Sequence, residues 1–296
     1  MEIAVIGAGK WGEALAFAFS QKNSVTLSSA RGKKKNLISI DEALKKEFIV
    51  IAISAQFIRE WFKKNFKNYG QKLLIASKGI EIKSGALLNE ILEEFVDSKQ
   101  VAFLSGPSFA KEVKESLPTA LVVSSKNLDL AKEFTQAFPD FIKGYVDSDV
   151  IGAEVGGAYK NVIAIAGGVC DGLKLGNNAR AALISRGLVE MARFGKFLGA
   201  KEETFLSLGG AGDLFLTASS QLSRNYRVGF NLTQKKNLKQ ILEELGEVAE
   251  GVGTAKALFN ISQKKKIYLP IAKEVYLMLE GKDPKESLKD LLAKSI

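Results

Sequence analysis

Along the first half of the chain the apolar positions gather into short runs, EIAVI, VTLSS, FIVIAIS, KLLIAS, QVAFLS and TALVVS. Most of the stretches between them carry apolar residues three or four apart. The runs read as buried strands and the intervening stretches as amphipathic helices, and strands alternating with helices predict a parallel, doubly wound α/β sheet. Past residue 150 the pattern becomes long helical segments, over 150–173, 179–198, 238–244, 253–264 and 271–279, with scarcely a strand among them. A chain of 296 residues also exceeds the usual size of a single core. The expectation is a sheet domain over 1–147 and an all-helical domain over 148–296, with the turn-rich stretch 139–149 as the joint.

Composition narrows the chemistry. With 46% apolar residues, 25% charged and five prolines, the chain is globular and neither disordered nor fibrous. Histidine is absent and Cys170 is the single cysteine, which rules out an intramolecular disulfide, argues against a transition-metal site and leaves acid–base work to Lys, Asp, Glu or Tyr. Cys170 itself has no basic neighbour in sequence and reads as a small buried hydrophobe. No stretch of eighteen or so apolar residues occurs, and the pattern predicts a cytoplasmic protein with no integral membrane segment. The net charge of +9 is spread among acidic residues, apart from short runs at Lys33 to Lys35 and Lys264 to Lys266. That spread argues against a nucleic-acid surface and suits a small phosphorylated substrate.

Directly after the first run comes Gly7-Ala8-Gly9-Lys10-Trp11-Gly12, followed by the helical EALAFAFSQK. This is the dinucleotide fingerprint of a Rossmann-type sheet. Gly7 permits the tight turn, Gly9 lets backbone approach a pyrophosphate, Gly12 permits close helix–strand packing, and the helix start offers free N–H groups to the anion. An NAD site usually carries Asp or Glu at the end of the second strand, but here the stretch reads VTLSSARGKKK. Arg31, with Lys33 and Ser28 or Ser29, would instead meet a 2′-phosphate, so NADP(H) is the expected cofactor, with NAD(H) possible. A merely solvated turn is the alternative.

Two further strand ends lead into ligand-type loops, Ser77-Lys78-Gly79 and Gly106-Pro107-Ser108-Phe109-Ala110. Lys78 can bring a point charge to a phosphate or oxyanion and Ser108 a hydroxyl donor, although a surface lysine and a plain N-cap explain them equally. The stretch EVGGAYKNVIAIAGG, residues 154–168, contains two glycine pairs, each glycine costing about 1 kcal/mol in a helix, which argues for close backbone approach to a ligand or another helix. Between the pairs lies Lys160. Held among apolar neighbours it would lose charge readily, as a proton-transfer lysine must; alternatively it snorkels to solvent. Asp213, after Gly209-Gly210-Ala211-Gly212, either caps the next helix or turns onto Lys160, and local sequence favours the cap. Ser223-Arg224-Asn225 offers a guanidinium fork with two hydrogen-bonding neighbours for a phosphate, and Glu247 and Glu250 precede a helix whose dipole and capping would explain them.

Together, GAGKWGEALA, SKGIE, LSGPSFAKEV, EVGGAYKNVIAIAGG, GGAGDLFLT, SRNYRVG and VAEGVGTAKAL resemble, in order and over most of the chain, the bacterial NAD(P)-dependent sn-glycerol-3-phosphate dehydrogenases. The resemblance implies that Lys160 is the proton acceptor, held by Asp213. It aligns Trp11, Arg31, Lys78, Ala110, Arg224, Val248 and Glu250 with the cofactor, beside Gly7, Gly9, Lys10 and Gly12. Around the substrate it sets Lys78, Gly106, Ser108, Lys160, Asp213, Ser223, Arg224 and Asn225. It further implies a C-terminal domain like that of 6-phosphogluconate dehydrogenase, a homodimer, and supply of glycerol phosphate for phospholipid synthesis. The stretch between Gly32 and Asp41 is short for the family. Two other readings compete: a reductase of the same plan acting on a carboxylated ketone, and a non-catalytic NADP sensor.

Overall fold

The computed structural model describes residues 1–30 and 37–293, so Arg31 and Lys33 lie outside the described residues. The sheet domain runs β1 (Glu2–Ile6), α1 (Lys10–Ser20), β2 (Ser24–Ser28), β3 (Leu37–Ile38), α2 (Ile40–Leu44), β4 (Phe48–Ile51), α3 (Ile58–Asn65), β5 (Lys72–Ile75) and α4 (Leu88–Leu92). It continues through β6 (Val101–Ser105), α5 (Ala110–Lys114), β7 (Thr119–Ser124), α6 (Leu128–Gln136) and β8 (Ile142–Asp147). The helices that follow are α7 (Val150–Gly172), α8 (Gly176–Phe197), α9 (Glu202–Leu206), α10 (Asp213–Ala218), α11 (Arg224–Leu232), α12 (Leu238–Leu245), α13 (Glu250–Lys265), α14 (Pro270–Leu279) and α15 (Pro284–Ala293).

The strands form one sheet in the order β3-β2-β1-β4-β5-β6-β7-β8. Alternate residues serve its two faces, as a period of two requires. Ile3, Val5, Val50 and Leu74 pack with Leu15, Phe19 and Phe134 of α1 and α6. Ala4, Ile6, Ile49 and Leu73 pack with Ile58, Phe62 and Ile91 of α3 and α4. From β3 to β6 all pairings are parallel, so the carboxyl ends of β1, β4, β5 and β6 open on one edge.

Three expectations need correction. The sheet is not wholly parallel: β7 runs antiparallel to β6. The connection between them, 106–118, holds only the five-residue α5, too little to cross a face, so the chain turns back at the carboxyl edge and keeps the Gly106 loop there. The stretch expected as a turn-rich joint contains β8, an edge strand whose burial alternates too weakly to stand out. Helices α9, α11 and α15 lie outside the predicted segments, and α9, with five residues, has too few turns for a periodic signal.

Asp149 caps α7, accepting from the Gly152 amide, and its other oxygen takes the Lys201 amide at 2.9 Å and the Thr204 hydroxyl at 2.7 Å. From there α7 travels about 34 Å through the middle of the helical core. Its glycines are where other chain segments touch it. A Cβ on Gly168 would lie 1.9 Å from the Tyr226 carbonyl oxygen of α11, and one on Gly167 would lie 2.5 Å from that of Ala218 in α10. Gly156 faces the Gly209 carbonyl, and Gly157 faces the side chain of Lys78. Contact with other backbone, together with room for a lysine, thus accounts for the costly glycine pairs.

Gly168→Ala gains about 1 kcal/mol of helix propensity but must move a backbone carbonyl, and overpacking of that kind costs about 1–3 kcal/mol or more. The clash should win, lowering the thermal midpoint by several degrees. Gly157→Ala meets only the flexible Lys78 chain at 3.3 Å and should melt close to the unaltered protein. Calorimetry on the two variants checks the contrast.

Candidate functional site

The fingerprint turn is built as its glycines require. Gly7 sits at φ +115°, and a Cβ there would strike the Ala52 carbonyl oxygen at 2.4 Å. A Cβ on Gly12 would meet the Gly7 carbonyl at 1.8 Å, whereas one on Gly9 would meet nothing within 4 Å. Two glycines are therefore demanded by packing and the third leaves open approach to the start of α1, whose N-cap provides no side-chain partner for the helix N–H groups. These features fit a dinucleotide pyrophosphate on that helix end. Trp11, in the first turn of α1, packs partly buried against the sheet core, Ala110 opens α5, and Val248 is exposed on the loop between α12 and α13.

Across the same edge lies the most unusual polar cluster of the molecule. Asp213 is 1% exposed, and its carboxylate bonds Lys160 through Oδ1 and Lys78 through Oδ2, the latter at 2.8 Å. The Thr217 hydroxyl adds a donor to Oδ1 at 3.3 Å. Lys78 comes from the loop after β5, which the Ser77 hydroxyl pins to the Ile53 carbonyl at 2.6 Å. Lys160 comes from the middle of α7 and is itself buried, so it does not snorkel. Asp213 opens α10 after the wide π-helical turn Leu208–Gly212, and turns onto the lysines instead of capping its helix. The buried charge pair outweighs the local capping preference because two ammonium groups in that space need a counter-anion.

The electrostatics follow from burial and crowding. Burial pushes Lys160 down to about 7, with Asp213 opposing and the neighbouring Lys78 adding to the fall. Burial alone would raise Asp213, but Lys160 and Lys78 together hold its carboxyl below the ordinary value. The arrangement is an amine poised to exchange a proton near neutral pH, beside a second, permanently placed cation.

The Ser223-Arg224-Asn225 trio does not act as one grip. The Ser223 hydroxyl caps α11 by accepting from the Tyr226 amide. Asn225 points inward, donating to Asn161 Oδ1 at 2.8 Å and accepting from the Gly251 amide at 2.9 Å, which ties α11 and α13 to the residue next to Lys160. Arg224 points to the rim, 3.4 Å from Glu247. Ser108 is not a cap, since Phe109 occupies that position; its hydroxyl donates to the Gly106 carbonyl at 3.2 Å. Glu247 and Glu250 do not cap α13 either. Glu247 pairs with Lys10 and Arg224, and Glu250 lies half-buried against the loop after β4. Burial raises the Glu250 carboxyl, with the Ser54 hydroxyl, the Ala55 amide and Arg224 opposing. Asn161 and Thr217 join the cluster without having been singled out in the sequence; adjacency to Lys160 and the i, i+4 spacing from Asp213 were the available signals.

Asp213→Asn removes the anion shared by two lysines and should lower the Lys160 pKa below about 7. NMR titration of the Lys160 side chain checks it; an unchanged or higher value contradicts the pairing.

Comparison with known proteins agrees over both halves. A family model described as NAD-dependent glycerol-3-phosphate dehydrogenase C-terminus matches residues 149–289, and the corresponding N-terminus model matches 34–131. A glycerol-3-phosphate dehydrogenase [NAD(P)+] of Sulfurimonas denitrificans is 58% identical over 293 residues, 99% of each chain. One from Nitratiruptor is 57% identical over 296 residues, 100% of this chain and 99% of its own. The crystal structure of glycerol-3-phosphate dehydrogenase from Coxiella burnetii superposes with a TM-score of 0.92 at 32% identity, covering 99% of both chains.

Proposed function

Because this chain belongs to the NAD-dependent glycerol-3-phosphate dehydrogenase family and is an NAD(P)-dependent oxidoreductase, we propose that it interconverts dihydroxyacetone phosphate and sn-glycerol 3-phosphate with Lys160 as the proton-exchanging group. The observation that carries this reading is the buried Lys160–Asp213–Lys78 cluster on the edge of the sheet that also holds the fingerprint. A carboxylated-ketone reductase and a nucleotide sensor give way to it.

Gly7, Gly9, Lys10, Trp11 and Gly12 would hold the dinucleotide, with Lys78, Ala110, Arg224, Val248 and Glu250 beside it and Arg31 toward a 2′-phosphate. When bound, the cofactor supplies or takes up the hydride at carbon 2 of the substrate. In reduction, Lys160 as an ammonium stabilises the oxygen developing negative charge on carbon 2 and gives it a proton; in oxidation the neutral amine removes that proton. Asp213 keeps the amine in place and makes the charged form attainable despite burial. Lys78 adds positive charge, which favours the anionic substrate and disfavours a second ammonium nearby. Arg224, at the rim, takes the substrate phosphate, so binding energy far from carbon 2 fixes its orientation. Gly106, Ser108 and Ser223 shape the wall, and Asn225 acts through Asn161.

The division into a cofactor domain over 1–147 and a substrate domain over 148–296 belongs to the same proposal. So do NADPH preference, cytoplasmic location, a homodimer and supply of glycerol phosphate to phospholipid synthesis. Among the described residues no helix is long and apolar enough to cross a membrane.

Dihydroxyacetone phosphate should accelerate loss of NADPH absorbance, and a carboxylated ketone should not. Lys160→Ala should lower kcat about a hundred- to ten-thousandfold while NADPH still binds; full activity in the variant would remove Lys160 from the mechanism.

The pH profile has a definite sign. Oxidation needs the neutral amine, so kcat/KM should rise as pH passes about 7, whereas reduction needs the ammonium and should fall over the same range. Steady-state rates in both directions from pH 5.5 to 9 check it, and parallel profiles would contradict the assignment.

A further inference from the structure

Lys10 and Arg224 approach the cleft from opposite sides, one from the first residue of α1, the other from the first residue of α11. A single carboxylate holds both. Glu247, on the loop between α12 and α13, bonds Lys10 Nζ through Oε1 and faces Arg224 through Oε2 at 3.4 Å. Glu247 has three-quarters of its side chain covered, while the Lys10 side chain is 73% exposed. This carboxylate therefore bridges the sheet domain and the helical domain directly in front of the helix end on which a pyrophosphate would sit.

We infer that Glu247 is a built-in counter-anion that competes with the dinucleotide for Lys10 and Arg224 and thereby sets cofactor affinity. The inference rests on the proposed placement of the cofactor against these two cations. A cation paired with a carboxylate has little attraction left for a second anion, so phosphate must displace Glu247 before it gains the full charge of either residue. The pair is solvent-accessible, which makes displacement easy and its strength modest. It also makes the field salt-dependent. With Glu247 in place the Lys10–Arg224 pair carries a net charge of about one; without it the pair presents two charges that ions in solution can screen. An exposed loop needs no carboxylate at this point for packing, and capping does not explain it, since α13 begins with Ala249 as its cap and draws no hydrogen bond from Glu247.

Glu247→Gln keeps the shape and removes the charge. NADPH binding to the full-length protein, followed by nicotinamide fluorescence, should tighten about two- to fivefold, the scale of one partly exposed ion pair. The loss of affinity between low and moderate salt should become steeper in the variant, and calorimetry should give an unchanged melting temperature. A role in holding Arg224 in its working position predicts the opposite, weaker binding. Unchanged or weaker binding by Glu247→Gln overturns the inference, as does an unaltered salt dependence. Lys10→Ala and Arg224→Ala serve as the control for the placement itself. If they weaken NADPH binding while Glu247→Gln fails to tighten it, only the inference falls. If neither weakens it, the cofactor does not lie between these residues and both fall.

Discussion

Two ammonium groups cannot share the interior of a protein unless something negative lies between them, and Asp213 is what lies between Lys160 and Lys78. Desolvating each charge costs several kcal/mol, recovered only when geometry is good and the remaining hydrogen bonds are satisfied. Here each carboxylate oxygen has its own lysine, and Thr217 supplies a further donor. The rest of the architecture serves that meeting. A strand end brings Lys78, a glycine-rich π-helical turn brings Asp213, and α7 crosses the helical core to bring Lys160. A largely buried cluster with one more positive than negative charge is a natural receptacle for an anionic carbonyl compound. Burial, helped by the neighbouring Lys78 and opposed by Asp213, keeps Lys160 close to losing its proton.

Much of this was legible in the residues. The alternation of short apolar runs with amphipathic stretches located six of the strands, most plainly β1, β4, β5 and β6, which are buried on both sheet faces and carry few polar interruptions. The fingerprint could be read because much of its physics is local: Gly7 turns at φ +115°, and a Cβ on Gly12 would strike the carbonyl of Gly7 in the same turn. The glycine pairs of α7 pointed to close approach, and several of their partners are indeed carbonyls of neighbouring chain segments.

What could not be read was whatever depends on distant partners. Nothing near Asp213 distinguishes a helix cap from an ion pair, since the deciding lysines lie 53 and 135 residues away. Asn225 looked like a phosphate ligand beside Arg224, yet one helical step turns it inward to Asn161 and Gly251. The reversal of β7 was hidden for a related reason. Strand direction is set by the reach and path of the connection, and the one-turn α5 carries no periodicity from which that path could be inferred.

The knot around Asp149 bears on how such a molecule can breathe. One carboxylate fastens the first turn of α7, the amide of Lys201 and the hydroxyl of Thr204. The passage from sheet to helices is thereby a stiff splice with no swivel, and α7 leaves it in a settled direction with Lys160 midway along. Compliance is left to the rim, where Glu247 meets Lys10 and Arg224 through solvent-accessible ion pairs. The acid–base apparatus thus behaves as a fixed anvil, and admission of reactants becomes the business of a loop letting go.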